Sequence, residues 1–387
     1  MPIAGIIAEF NPLHNGHKYL IEKAKKDCNY VICVLSGNFV QRGDVAIISK
    51  EQRTKSALLC GADLVLELPV PWSMSTAQNF ALGGVSQLSA FNIDSLYFGS
   101  ECGNAELLIK TSDILLSSEY NAKLKEKIKT NKSFATIRQE LLAEYSDDLS
   151  KILDNPNDSL AVEYICAAKK LGLNITFNAV KRVGAGHNDL TDNDSFCSST
   201  MLREKLKQND INNIENLVPE EAYNILINAP HADIKRLDTA IISRLKMLSD
   251  ADIETVPDIS EGLGSLLLNS VKESYTYSEL CDKIKSKRYT MARIRRIVLS
   301  AFLGIDKKYF LTEPPYVRVL GFNENGSKLI PKVGKKPIIT KVSQLNSLSN
   351  EERMLFETEN KISEIYALSL DAPADFTSEY KRKIIKI

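Results

Sequence analysis

Apolar positions in the first half of the chain fall into two alternating patterns. Short apolar runs at residues 3–8, 30–35, 63–68, 95–98 and 175–180, the first two rich in β-branched residues, have the length of buried strands. Breakers follow four of them: Asn11-Pro12, Ser36-Gly37-Asn38, Pro69 and Gly99-Ser100-Glu101. Between the runs, helical spacing recurs after Gly16 (Tyr19, Leu20, Ile21, Ala24), at 75–90 and at 159–171. Ser49-Lys50-Glu51-Gln52 reads as a capping box opening a helix that ends near Gly61. Strand and helix in alternation predict an α/β fold, a parallel sheet with helices on both faces. Helical periodicity then dominates 211–303, and strand-like runs at 317–322 and 336–340 flank Asn325-Gly326. The chain thus divides into an α/β region, 1–205, a helical region, 206–315, and a small mixed C-terminal region, 316–387.

In open parallel sheets ligands bind beyond the carboxyl ends of the strands. The chemically distinctive residues fall there. His14 and His17 follow the first run, with Asn15-Gly16 between them and a helix directly after. Free N–H groups and the positive end of the helix dipole collect at such a place, which suits phosphate. Glycine between the imidazoles lets a ligand lie against bare backbone. Neutral or protonated, the two rings can donate hydrogen bonds to an α-phosphate as charge builds during attack on it. A zinc site is the competing reading, but zinc normally takes three or four ligands. Only His187 and His231 remain, and the cysteines form no C-x-x-C pair, so no metal ligands are assigned.

Asn38, Gln41 and Arg42 lie in the loop after the second run, where they can meet phosphate, carboxylate or a base edge. One of Asn157 and Asp158 is expected to cap the helix near residue 159, leaving the other for a ribose or adenine. Ser198-Ser199-Thr200 followed by Arg203 makes a second phosphate cradle at a helix start.

Composition narrows the setting. The 49 basic and 49 acidic residues cancel, so a nucleic-acid surface must be a local patch. Basic residues do cluster late, at Lys287, Arg288, Arg293 and Arg296, and again at Lys335 and Lys336, which suits an RNA backbone. Seven scattered cysteines and no secretory signal imply reduced thiols and a cytoplasmic protein. No apolar run reaches the length of a membrane span.

The His14-x-Gly16-His17 element resembles the HxGH signature of the nucleotidyltransferase superfamily, which implies a Rossmann-like core. Taken with stretches 36–43, 61–69, 98–101, 156–157, 181–186, 287–289 and 318–322, the chain is similar over nearly its whole length to the bacterial tRNA(Met) cytidine acetate ligases. That resemblance implies ATP-dependent activation of acetate and acetylation of N4 of the wobble cytidine of elongator tRNA(Met). It implies an ATP site built from Ile7, Ala8, Glu9, Phe10, Asn11, Pro12, Leu13, His14, Asn15, Gly16, His17, Lys18, Tyr19 and Leu20, with Gly99, Asn157 and Arg182. Arg203 is assigned to the leaving pyrophosphate, and Mg2+ is expected to arrive on the phosphates. No membrane and no obligatory protein partner are expected. Many small-molecule adenylyltransferases have Thr and Asp where this chain has Glu9 and Asn11. Such an adenylyltransferase, or a nucleotide-dependent RNA-binding protein without turnover, is the alternative.

Overall fold

The apolar runs become strands in the computed structural model, which describes all residues except 128–133, 183–196, 209, 211–212, 261, 287–288, 333, 335 and 373–378. The strands are β1 (Ile3–Ala8), β2 (Tyr30–Ser36), β3 (Phe39–Val40), β4 (Asp44–Val45), β5 (Leu64–Leu68), β6 (Ser95–Ser100), β7 (Thr176–Lys181), β8 (Val317–Phe322), β9 (Ile338–Ile339) and β10 (Ile385–Lys386). The main sheet runs β10-β8-β5-β2-β1-β6-β7, with β9 also paired to β8. β5 and β8 are antiparallel; the other neighbours in this sheet are parallel. The chain runs outward from β1 through β2 to β5, then returns to lay β6 on the other side of β1. That reversal opens a crevice at the carboxyl ends of β1 and β6, the usual ligand position in such sheets.

Both faces of the sheet are covered, so its strands alternate between two apolar cores. In β2, Tyr30, Ile32 and Val34 pack into one, and Val31, Cys33 and Leu35 into the other. Helix Ala77–Ser89 lies close over β1, because a Cβ on Gly84 would meet Ile7 Cδ1 at 2.7 Å. Helices Glu220–Asn228, Asp238–Lys246, Leu263–Lys272, Tyr277–Ile284 and Met291–Leu303 make up most of the helical region, and the last four surround a third core.

The C-terminal mixed region joins the sheet rather than standing apart from it. β8 pairs along β5 with Leu64 opposite Phe322, and β10 pairs with β8. Helix Asn350–Ala367 spans two cores, sending Leu355 and Phe356 into one and Ile362 and Tyr366 into the helical one. A buried ion network fixes the junction. Lys50 pairs with Glu67 and with Glu379, the latter at 2.8 Å, while Arg318 bridges the same two glutamates. Lys50, Glu67 and Glu379 are each no more than 2 % exposed, so each cation–carboxylate contact offsets a desolvation cost that neither partner could bear alone.

Candidate active site

Two turns and one helix end meet in the crevice. Helix Asn15–Asp27 is entered through His14, whose Nδ1 accepts the Gly16 N–H at 3.1 Å. His17 Nδ1 in turn accepts the His14 N–H at 3.3 Å. The pair forms a reciprocal capping box made of imidazoles, with the rings stacked at 3.8 Å between centroids. An Nδ1 that accepts must carry its proton on Nε2. Burial pushes the His14 pKa down to about 3, helped by the Arg182 charge. Burial also drives His17 well below its ordinary value, with His14 and Arg182 adding to the effect. At neutral pH both rings are therefore uncharged Nε2–H donors, fixed in tautomer by the backbone they cap.

Arg53 holds the neighbouring turns in place. It is fully buried, and its guanidinium donates to the Glu9 carbonyl at 2.7 Å, Ser36 at 3.0 Å, Gly37 at 2.6 Å and Ile48 at 3.1 Å. It thereby ties the end of β1 to the end of β2. Arg203 clamps the same loop from the other side, donating through Nη1 to the Asn11 carbonyl at 2.6 Å and through Nη2 to Thr200 Oγ1 at 3.1 Å. Ser198 caps its helix by accepting the Met201 N–H, and Ser199 Oγ donates to the Pro12 carbonyl at 3.4 Å.

The turn after β6 is built on a carboxylate. Neither Asn157 nor Asp158 caps helix Pro156–Lys170, as the sequence suggests; Asn155 holds that position, with Pro156 in the first turn. Asp158 is instead fully buried and points back at β6. It accepts the Ser100 hydroxyl, the Glu101 N–H at 2.9 Å and the Cys102 N–H at 3.0 Å. Glu101 replies by accepting the Asp158 N–H at 2.9 Å and the Asn157 side-chain amide at 2.5 Å. This knot sets Gly99 and Asn157 at the crevice wall.

The resulting cleft has a volume of about 510 Å³. Of the residues expected from the sequence, Ile7, Ala8, Glu9, Phe10, Asn11, His14, Gly16, His17, Tyr19, Leu20, Gln41, Arg42, Gly99, Asn157, Arg182 and Arg203 line it. Five others do not, and each has another task. Pro12 and Leu13 are buried under the loop. Asn15 Nδ2 donates to the Asn216 carbonyl, and Lys18 pairs with Glu221 at 3.0 Å. Asn38 is buried, its Oδ1 accepting the Lys50 N–H at 2.9 Å. The sequence reading missed Phe80, Phe98, Leu160 and Tyr164, which supply apolar wall. Tyr164 stands seven positions after Asn157, two helical turns along, and that spacing was the available signal.

Of the expected RNA contacts, Arg293, Arg296 and Lys336 are not in the cleft lining. Lys287, Arg288 and Lys335 fall outside the described residues, as does most of the 181–186 stretch. Arg293 and Arg296 are not simply solvated cations: they share Asp258, at 3.2 Å and 3.3 Å. Lys336 pairs with Glu313 at 3.0 Å.

A family model for HIGH nucleotidyl transferases matches residues 1–381. The tRNA(Met) cytidine acetate ligase of Caldanaerobacter subterraneus subsp. tengcongensis is 38% identical, with 100% of both chains covered. The chain belongs to this ligase family of HIGH nucleotidyl transferases. The ligase of Clostridium tetani is 39% identical over 88% of this chain and 91% of its own. The crystal structure of Thermotoga maritima TmcAL bound with alpha-thio ATP superposes with a TM-score of 0.92 at 29% identity, covering 100% of both chains. The apo structure of the same family member gives 0.93.

Proposed function

We propose that the chain is an ATP-dependent ligase that activates acetate as acetyl-AMP and transfers the acetyl group to N4 of the wobble cytidine of elongator tRNA(Met). The observation that carries this reading is the pair of neutral imidazoles, whose Nδ1 atoms are taken by the first helical turn and whose Nε2–H groups remain for the cleft. Acetate alone cannot acylate an amine at neutral pH, because oxide is too poor a leaving group. Attack of its carboxylate on the α-phosphate releases pyrophosphate and leaves AMP as a workable leaving group. His14 and His17 donate to the α-phosphate oxygens as charge develops there. Arg203 faces the departing pyrophosphate. The buried Nε of Arg182 has no hydrogen-bond partner among the described residues, which fits a phosphate acceptor. Adenine fits the apolar wall of Phe80, Phe98 and Tyr164.

Two carboxylates, Glu9 and Asp154, belong to the lining, against guanidiniums from Arg42, Arg182 and Arg203. That donor set suits a triphosphate that brings its own Mg2+, which when bound neutralises phosphate charge. The tRNA is taken by the helical region. Arg293 and Arg296 share one carboxylate, so the pair keeps a net positive charge for a phosphate backbone. No described helix is long and apolar enough to cross a membrane, and the proposed substrate places the reaction in the cytoplasm.

ATP–pyrophosphate exchange tests the reading. Exchange that requires acetate, with acetylcytidine formed on tRNA(Met), supports it. Exchange that requires a phosphorylated acceptor instead makes the chain a small-molecule adenylyltransferase. No exchange under any condition leaves a nucleotide-dependent RNA-binding protein without turnover.

A further inference from the structure

Acyl transfer to the cytosine amine releases a proton, and the cleft must have somewhere to put it. Most side chains in the lining are unsuitable. His14 and His17 already hold a proton on Nε2, and their Nδ1 atoms accept backbone N–H groups of the cap they form. Burial pushes the Cys197 thiol up to about 11 and Tyr164 higher still, so neither is a base near neutral pH. Asp154, the other carboxylate, is exposed to solvent rather than enclosed by the cleft, and the Gln139 side chain engages its Oδ1.

We infer that Glu9, resting on the function proposed above, is the general base of the transfer step. Glu9 stands at the carboxyl end of β1 and lines the cleft. Glu9 leads directly into the turn that carries His14 and His17, so its carboxylate opens on the same cleft as the two imidazoles. Its orientation is fixed. Glu9 Oε1 accepts the Gln41 N–H at 2.8 Å. The loop carrying Gln41 is held in turn by the helical region: Tyr277 donates to the Gly43 carbonyl at 2.8 Å, and Arg296 Nη1 to the Gln41 carbonyl at 3.4 Å. Gly43 has φ +71, and a Cβ there would meet Arg295 Cβ at 2.6 Å, so the contact requires glycine. The region proposed to hold the tRNA therefore also aims the residue proposed to deprotonate it.

In the step, the cytidine N4 lone pair attacks the acetyl carbonyl and a C–N bond forms. The bond from that carbonyl carbon to the AMP oxygen breaks, and AMP leaves with the electron pair. The amine proton passes to the Glu9 carboxylate and then to water. Burial raises the Glu9 pKa above the ordinary carboxylate range, which strengthens it as a base. The Gln41 N–H and the charges of Arg203, Arg42 and Arg53 oppose that rise. Tyr164 also faces the carboxylate.

The test uses the full-length protein, preformed acetyl-AMP and an unmodified tRNA(Met) transcript in single-turnover transfer from pH 5 to 8. Acetate-dependent pyrophosphate exchange is measured on the same preparations. Glu9→Gln should slow transfer by about a hundredfold or more and abolish the acidic limb of its pH profile, with a much smaller loss in exchange. Glu9→Asp should keep the limb. Transfer by Glu9→Gln within about threefold of wild type, survival of the limb in that variant, or equal losses in transfer and exchange would each overturn the assignment. Failure of the wild-type protein to form acetylcytidine would remove the parent reading and this role together.

Discussion

His14→Asn separates the two tasks of the first histidine. Asparagine is a good helix N-cap, so it can still accept the Gly16 N–H, but it has no ring Nε2–H and does not titrate in this range. The folded chain holds His14 neutral, with its pKa lowered from 6.5 to about 3 by burial and by Arg182. The unfolded chain takes up that proton below pH 6.5, whereas the folded chain does so only near pH 3. A depressed folded pKa means stability that is complete above the unfolded value and lost as pH falls toward the folded one. The slope is about 1.4 kcal/mol per pH unit, so His14 should account for about 2 kcal/mol of the loss between pH 7.5 and pH 5. Urea unfolding of both proteins at these two pH values reads this directly. The variant should lose about 2 kcal/mol less than wild type on acidification. A remaining acid loss reflects His17, which burial depresses as well. Acetate-dependent exchange at neutral pH should meanwhile fall on the order of a hundredfold, the cost of one oxyanion-type donor. Identical acid losses in the two proteins would refute the buried neutral ring, and wild-type exchange in the variant would refute its phosphate role.

Two further outcomes follow from the supports of the cleft and a third from the packing of helix Ala77–Ser89. Asp158→Ala leaves the Ser100 hydroxyl and the Glu101 and Cys102 N–H groups without their acceptor; it should cost about 3 kcal/mol in urea unfolding and raise the Kd for ATP through Gly99 and Asn157. Arg53→Met strips four carbonyl oxygens of their donor and should cost about 3–5 kcal/mol, with unchanged denaturation as the contrary result. Gly83→Ala drives a Cβ to 2.7 Å from Trp72 and should cost about 1–3 kcal/mol, again by urea unfolding.

What was legible in the sequence was local. The strand, the Asn-Pro break, the two histidines and the amphipathic helix lie within one short stretch, and each signals its neighbour. The Ser49 cap was legible for the same reason, its side chain accepting the Gln52 N–H. β3 and β4 are two residues each, too short for any period to register. Arg53 and Asp158 read as an ordinary helix residue and a capping candidate, because their partners are backbone groups remote in sequence. Arg293 and Arg296 read as free cations for an RNA backbone, since nothing in their own stretch announces Asp258. The place of β8 in the sheet depends on its antiparallel match to β5, which no local pattern encodes.

The ion network at that junction also sets an order of events during synthesis. Lys50 and Glu67 leave the ribosome well before Glu379, which completes their charge balance, and before β10, which pairs with β8. Until then the far edge of the sheet is open and two charges destined for the interior keep their water. The cleft at β1 and β6 lies on the opposite side of β2 from this seam. Catalytic geometry and final locking are thus separated in time, and nascent chains stalled before residue 379 should be cut by protease near Lys50 while the released protein resists.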